Sequence, residues 1–193
     1  MYKRGSATVS SKVLNRCFRF AGALALCAFS LHLDASNFVV RSLEQQPLSG
    51  EVDMVLVEKS AKTLYLLDDG HVLRRYPIAL GKNPVGHKQE AGDGRTPEGR
   101  YILDWRNPKS QFYRAIHISY PNDQDLERAQ AANRDPGNLI MIHGSPEWVP
   151  SPEWAKQWLH KEDWTEGCIA VTNDIMDEIW HLVKDGTPIE IRP

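Results

Sequence analysis

The sequence predicts a mostly β single domain with two or three α-helices, and three observations carry that prediction. From residue 51 onward the chain passes through short runs rich in Val, Leu, Ile and Tyr, divided by clusters of Gly, Pro and Asp. Two of these runs flank Asp68-Asp69-Gly70, and Asp-Gly between apolar runs is a strong tight-hairpin signal. Sustained helical spacing is confined to two late segments, "PEWAKQWLHK" and "DIMDEIWHLVKDG".

The chain opens on "MYKRGSATVSSKVLNRCFRFAGALALCAFSLHLDASNF". Lys3, Arg4, Lys12, Arg16 and Arg19 form a basic stretch without acids, residues 20–33 an apolar one, and Ala28-Phe29-Ser30 a small-x-small cleavage pattern. Residues 1–35 thus read as a secretory signal peptide, with an uncleaved anchor as the alternative. The apolar stretch falls short of the roughly 20 residues a membrane span needs. Residues 36–50 are polar, hold Pro47 and Gly50, and read as a linker to a domain over 51–193.

Within that domain, residues 52–80 hold three strand-like runs. Residues 81–101 follow with five glycines and two prolines in 21 positions, a loop long enough to be either functional or disordered. Short apolar runs at 101–105, 115–119 and 139–143 predict further strands, and one or two helical turns are expected around 126–132. Ser151 reads as an N-cap with Pro152 at the first helical position, and Trp154, Trp158 and Leu159 share one face of that helix. In the second helix Asn173 or Asp174 reads as the cap, Ile175, Ile179, Leu182 and Val183 keep the spacing, and Gly186 ends it. "TPIEIRP" reads as a final strand.

Removing residues 1–35 takes away five of the 23 basic and one of the 25 acidic residues, so the mature chain carries a net charge of −6. That balance argues against a nucleic-acid partner. About 158 residues remain, enough for one ordinary core, and a monomer is expected. Cys17 and Cys27 leave with the signal, so Cys168 becomes the lone cysteine of a secreted chain and has no internal disulfide partner.

A thiol becomes a nucleophile when a neighbouring histidine lowers its pKa or takes its proton. His71 borders the hairpin turn, and His160 and His181 fall in the proposed helices. His143 instead ends the apolar run "LIMIH" and is followed by Gly144-Ser145-Pro146, while Cys168 follows Gly167 and precedes another apolar run. Gly167 permits close approach of a carbonyl, and N–H groups around Gly167 and Cys168 suit an oxyanion hole. Spacing alone leaves two readings open: a Cys168–His143 catalytic pair, or a core cysteine beside a hydrogen-bonded histidine. No CxxC, HxxxH or HExxH pattern is present, so no metal and no cofactor are expected. "GDGRTPEG" lacks the Gly-Lys-Ser/Thr ending of a phosphate loop and reads as a substrate-facing or structural loop. Lys82, Lys88, Arg95 and Arg100 of the Gly-rich stretch 81–101 are candidate contacts for substrate carboxylates, or plain solvated charges.

Three blocks in order, "GDGRTPEGRY", "IMIHG" and "DWTEGCIAVTN", resemble the L,D-transpeptidase (YkuD-like) catalytic domain family, over roughly residues 52–191. The last block resembles a subgroup with a DWTxGCIA motif. The resemblance implies a β-sandwich with mixed sheets and a few helices, secreted to the periplasm and acting on peptidoglycan stem peptides. It implies Cys168 as the acylated nucleophile, His143 as its base, the Gly144 carbonyl as the group orienting His143, and Gly167 with Cys168 as shapers of the oxyanion hole. Asn173 matches an asparagine of structural role. The implied reaction cleaves the L,D bond between stem residues 3 and 4. The acyl group then passes to an amine, as a 3-3 cross-link or an attached wall protein, or to water, as in an L,D-carboxypeptidase or amidase. A catalytically silent wall-binding module is the remaining alternative. The chain departs from the commoner motif at Glu166 and Ala170, where a histidine and an arginine are usual. Its His143-to-Cys168 gap of 25 is also long, with the helix after Ser151 as the insertion.

Overall fold

Alternation builds the middle of the sheet. In β1 (Met54–Glu58) Val55 and Val57 turn inward, and in β2 (Thr63–Asp68) Leu64 and Leu66 do the same. β3 (His71–Pro77) returns from β2 through Asp69 and Gly70, both at positive φ (47° and 76°), the geometry the Asp-Gly pair anticipates. This computed structural model describes residues 50–158 and 161–193, so the expected signal peptide, nearly all of the linker, Leu159 and His160 lie outside the described residues.

Five further strands follow: β4 (Gly99–Ser110), β5 (Tyr113–Ile118), β6 (Met141–His143), β7 (Ile169–Ala170) and β8 (Thr187–Arg192). All eight form one continuous sheet in the order β3-β2-β1-β8-β4-β5-β6-β7. The pairs β1·β8 and β6·β7 are parallel and the rest antiparallel. The expected mostly β architecture with mixed pairing is present, as a single sheet. Its two edges are tied together by the segment that continues β3. Ala79 and Ala170 exchange two backbone hydrogen bonds of 2.9 Å, the Lys82 N–H reaches Thr165 O at 2.9 Å, and the Thr165 N–H reaches Leu80 O at 3.1 Å.

Helix α1 (Asp123–Ala131) is longer than its weak apolar pattern suggests. A capping box between Asn122 and Asp125 starts it, each side chain accepting the other's backbone N–H. Helix α2 (Pro152–Trp158) opens as expected, with Ser151 Oγ accepting the Trp154 N–H at 3.1 Å. Helix α3 (Asn173–Leu182) buries Met176 and Ile179 in the core, and its cap position is Thr172, one residue before the expected Asn173 or Asp174. Asn173 is drawn elsewhere: its side chain accepts the Ser145 N–H at 2.8 Å. The helix ends at Leu182, before Gly186, where Arg106 from β4 donates to the carbonyls of Trp180 and Val183.

The Gly-rich stretch is ordered by a buried charge, Lys59, and a half-buried one, Asp93. Lys59 is 4 % exposed, and its ammonium donates to Gly86 O (2.7 Å), Thr96 O (2.9 Å) and Glu98 Oε1 (2.9 Å). Three donors meet three acceptors, so burial leaves none unpaired, although desolvation still lowers the Lys59 pKa against the pull of Glu98. Asp93 accepts the N–H groups of Gln89, Glu90 and Arg95 and the Lys88 ammonium. Burial alone would raise its pKa; the donors override that and hold it at about 2. Lys59→Met therefore lowers the unfolding free energy in urea by about 3 kcal/mol, since Glu98 and two carbonyls lose their partner. Wild-type stability in that variant would show that the loop is held by other contacts.

Candidate active site

The parallel pair β6·β7 sets the site. Ile142 lies opposite Ile169 and His143 opposite Ala170, and both isoleucines point into the core with no exposure. Side chains alternate along a strand, so Met141, His143, Cys168 and Ala170 share the other face. One step back in register Cys168 comes opposite Met141, and its Sγ accepts the Met141 N–H at 3.4 Å. His143 is therefore the diagonal neighbour of Cys168 on the same face, a relation that places Cα atoms roughly 7–8 Å apart and leaves side chains in reach.

His143 is 2 % exposed, and its Nδ1 lies 2.8 Å from Gly144 O. A carbonyl only accepts, so Nδ1 carries the proton and Nε2 keeps its lone pair. Phe112 and Trp164 cover the ring at centroid distances of 4.6 and 5.7 Å. This burial pushes the His143 pKa down to about 4, against the opposing effect of the Gly144 bond, so the imidazole is neutral at neutral pH. Gly144 is required for space: a Cβ there would stand 2.6 Å from Asn173 Oδ1, the atom that also receives the Ser145 N–H. Asn173 thus fixes the turn that carries the His143 acceptor.

Burial also raises the Cys168 thiol pKa above its ordinary value, with the Met141 N–H and the positive Lys88 opposing. Gly167 holds φ +130°, and a Cβ on it would lie 2.5 Å from Arg95 O, so only glycine lets the Gly-rich loop pack against the residue before the thiol. The Gly167 N–H is donated to Thr165 Oγ1 at 3.1 Å, because the Thr165 side chain folds back over its own turn. The same hydroxyl donates to Cys168 O at 2.7 Å. Gly167 is left a conformational role.

The "DWT" stretch carries roles that sequence reasoning left unassigned. Asp163 accepts the Leu80 N–H at 2.9 Å and the Lys62 ammonium at 2.8 Å. Trp164 covers His143, and Thr165 laces the Cys168 turn. The signal was the motif itself, three consecutive residues of unlike chemistry directly before Gly-Cys. The loop cations divide. Lys88 is buried on Asp93 and Glu90 O, Arg95 reaches back to His87 O, Arg100 stands beside Glu190, and Lys82 pairs with Glu166 at 2.7 Å with both groups exposed. An exposed pair of that kind contributes little stability.

The other described histidines have other partners or open settings. His71 is exposed at the hairpin, His87 bonds within the Gly-rich loop, His117 stacks on Trp105 beside Asp104, and His181 bonds back to Asp177 O. Among the described residues, no group of three or more His, Cys, Asp or Glu is gathered to hold a metal ion.

Of proteins similar in sequence, "Putative L,D-transpeptidase YafK" of Escherichia coli (strain K12) is 29% identical over 187 residues, covering 93% of this chain and 64% of that protein. Of solved structures, the helical cell shape determining protein Pgp2 from Campylobacter jejuni superposes with a TM-score of 0.53 at 23% identity, over 81% of this chain and 54% of its own. Bd1075 of Bdellovibrio bacteriovorus gives 0.50 at 26% identity, over 76% and 50%. The chain thus spans less than two thirds of each of these relatives. At that identity the Pgp2 likeness carries the fold alone. The sequence model of the YkuD family, described as L,D-transpeptidase catalytic domain, matches residues 53–191, and the chain belongs to that family.

Proposed function

We propose that this domain is a cysteine-dependent acyltransferase that opens the L,D bond between the third and fourth residues of a peptidoglycan stem in the periplasm, with Cys168 as nucleophile and His143 as base. The observation that carries the reading is the placement of Cys168, directly before β7 and bonded to Met141 N–H, on the diagonal from His143 at the end of β6, with His143 Nδ1 held by Gly144 O. Because burial raises the thiol and lowers the imidazole, the resting pair is neutral. Proton transfer from Sγ to Nε2 is then coupled to attack: the S–C bond forms as the thiol proton leaves. The carbonyl oxygen becomes an oxyanion for which the Cys168 N–H is the proposed donor, with Gly167 shaping the turn. Collapse breaks the C–N bond, and the departing amine takes its proton from Nε2–H. The thioester passes to an amine of a second stem or of a wall-attached protein, and no cofactor is required.

Release to water, as in an L,D-carboxypeptidase or amidase, is the second reading. It is favoured by the surroundings of the thiol. Ala170 is fully buried among Ala79, Ala155, Trp158 and Trp164, so α2 fills the space beyond position 170, and Glu166 is paired with Lys82 at the rim. Purified sacculi separate the two: released D-Ala with new 3-3 dimers supports transfer, and D-Ala without them supports hydrolysis.

A carbapenem adds its mass to the wild type and not to Cys168→Ala; persistent labelling of the alanine variant would remove Cys168 from the role. His143→Ala slows turnover by about 10²–10⁴-fold, the scale of a lost general base. The pH dependence has a definite sign. Since His143 sits near 4 when folded, the neutral base is present above that pH and lost below it, so kcat/KM falls on its acid side near pH 4. Iodoacetamide alkylation of Cys168, which needs thiolate, rises only in or above the ordinary thiol range. A fast alkylation plateau already reached in mild acid would show a preformed thiolate–imidazolium pair instead.

A further inference from the structure

A chain of aromatic rings runs from the catalytic histidine to the surface. His143 and Trp164 are 5.7 Å apart, Trp164 and Trp158 5.5 Å, and Trp158 and Trp154 5.0 Å with their planes within 24°. Trp148 stands edge-on to both Trp158 and Trp154, at 5.6 and 6.2 Å. The inner rings serve packing, but the outer two do not finish buried: Trp148 is 64 % exposed and Trp154 36 %. Large apolar rings left bare side by side mark a binding surface more often than chance exposure. Both lie between His143 and Cys168, Trp148 before Ser151 and Trp154 in α2.

We propose that Trp148 and Trp154 form a platform for the sugar chain of peptidoglycan, stacking the pyranose ring to which the stem is attached. The proposal rests on the function proposed above and names the part of the substrate read outside the cleft. A pyranose ring presents an apolar C–H face suited to an indole and polar hydroxyls at its edge. Exposed Glu147 and Glu153, each adjacent in sequence to one of the two tryptophans, offer partners for those hydroxyls. The ring chain makes the platform continuous with the candidate site through three ring-to-ring steps of 5.7, 5.5 and 5.0 Å, and three extended stem residues reach about 10 Å outward from the scissile bond. Exposed Glu147, Glu153 and Glu162 are interleaved in sequence with exposed Lys156 and Lys161, so this stretch carries no cationic excess of the kind that draws a protein to anionic lipid.

The test compares two substrates: the free stem tetrapeptide and the same stem on its disaccharide. For Trp148→Ala/Trp154→Ala, KM for the disaccharide-borne stem rises roughly tenfold, the scale of one or two aromatic stacking contacts. Turnover of the free stem and kcat on both stay at wild-type values, and Trp148→Tyr/Trp154→Tyr restores most of the loss. Unchanged free-stem turnover also serves as the folding control. Equal KM changes on both substrates, or none on either, overturn the platform while leaving the proposed reaction standing. If the wild type opens neither stem, the reaction fails, and the platform is judged by co-sedimentation with peptide-stripped glycan strands: binding lost in the double alanine variant supports it, and unchanged or absent binding overturns it. Tryptophan-dependent binding to vesicles of anionic phospholipid with no glycan binding would assign the surface to membrane and also overturn it.

Discussion

The reciprocal hydrogen bonds between Ala79 and Ala170, continued by those between Leu80, Lys82 and Thr165, hold the rest of the site in place. They bind the segment leaving β3 to the segment entering β7, at the two ends of an otherwise open sheet. A two-residue strand such as β7 has too few bonds of its own to stay in register. Clamped between β6 on one side and residues 79–82 on the other, it cannot slip, and a slip of one residue would turn Cys168 into the core and Ile169 out of it. Small residues make the clamp possible. A Cβ on Gly81 would meet Gly94 O at 2.2 Å, and Ala79, Ala155 and Ala170 form their own tight cluster.

From that clamp follows the electrostatic character of the site. His143 is buried beneath Phe112 and Trp164, and the half-buried thiol is set against backbone at Leu139 and Met141. Burial disfavours both charged forms, so the pair rests as thiol and imidazole, and in the proposed reaction charge develops only during attack. Reactivity then depends on geometry: the Gly144 carbonyl selecting the tautomer, Asn173 holding that turn, and Thr165 bracing the other. Charged groups are kept one layer further out: Lys59 reaches into the Gly-rich loop, and within it Lys88 pairs with Asp93, ordering the wall of the site.

Much of this was legible in the sequence where local chemistry dictates structure. Asp69-Gly70 specifies a hairpin whatever surrounds it, and Ser151-Pro152 opens a helix by capping alone. His143 and Cys168 stood out because each sits beside glycine at the edge of an apolar run. What stayed hidden depends on partners distant in sequence. Lys59 looks like a turn lysine until Thr96 and Glu98 come to meet it. The N-terminal position of α3 falls on Thr172, whose side chain makes no cap hydrogen bond, while Asn173 is taken by Ser145, 28 positions away. Gly167 promised a free N–H, and a side chain two residues back had already claimed it.

If Gly144 O holds His143 neutral with its proton on Nδ1, a 15N-detected titration of the histidine ring nitrogens, assigned with His143→Gln, shows an Nδ1–H tautomer at neutral pH that persists down to about pH 4. An imidazolium at neutral pH, or the proton on Nε2, would contradict it.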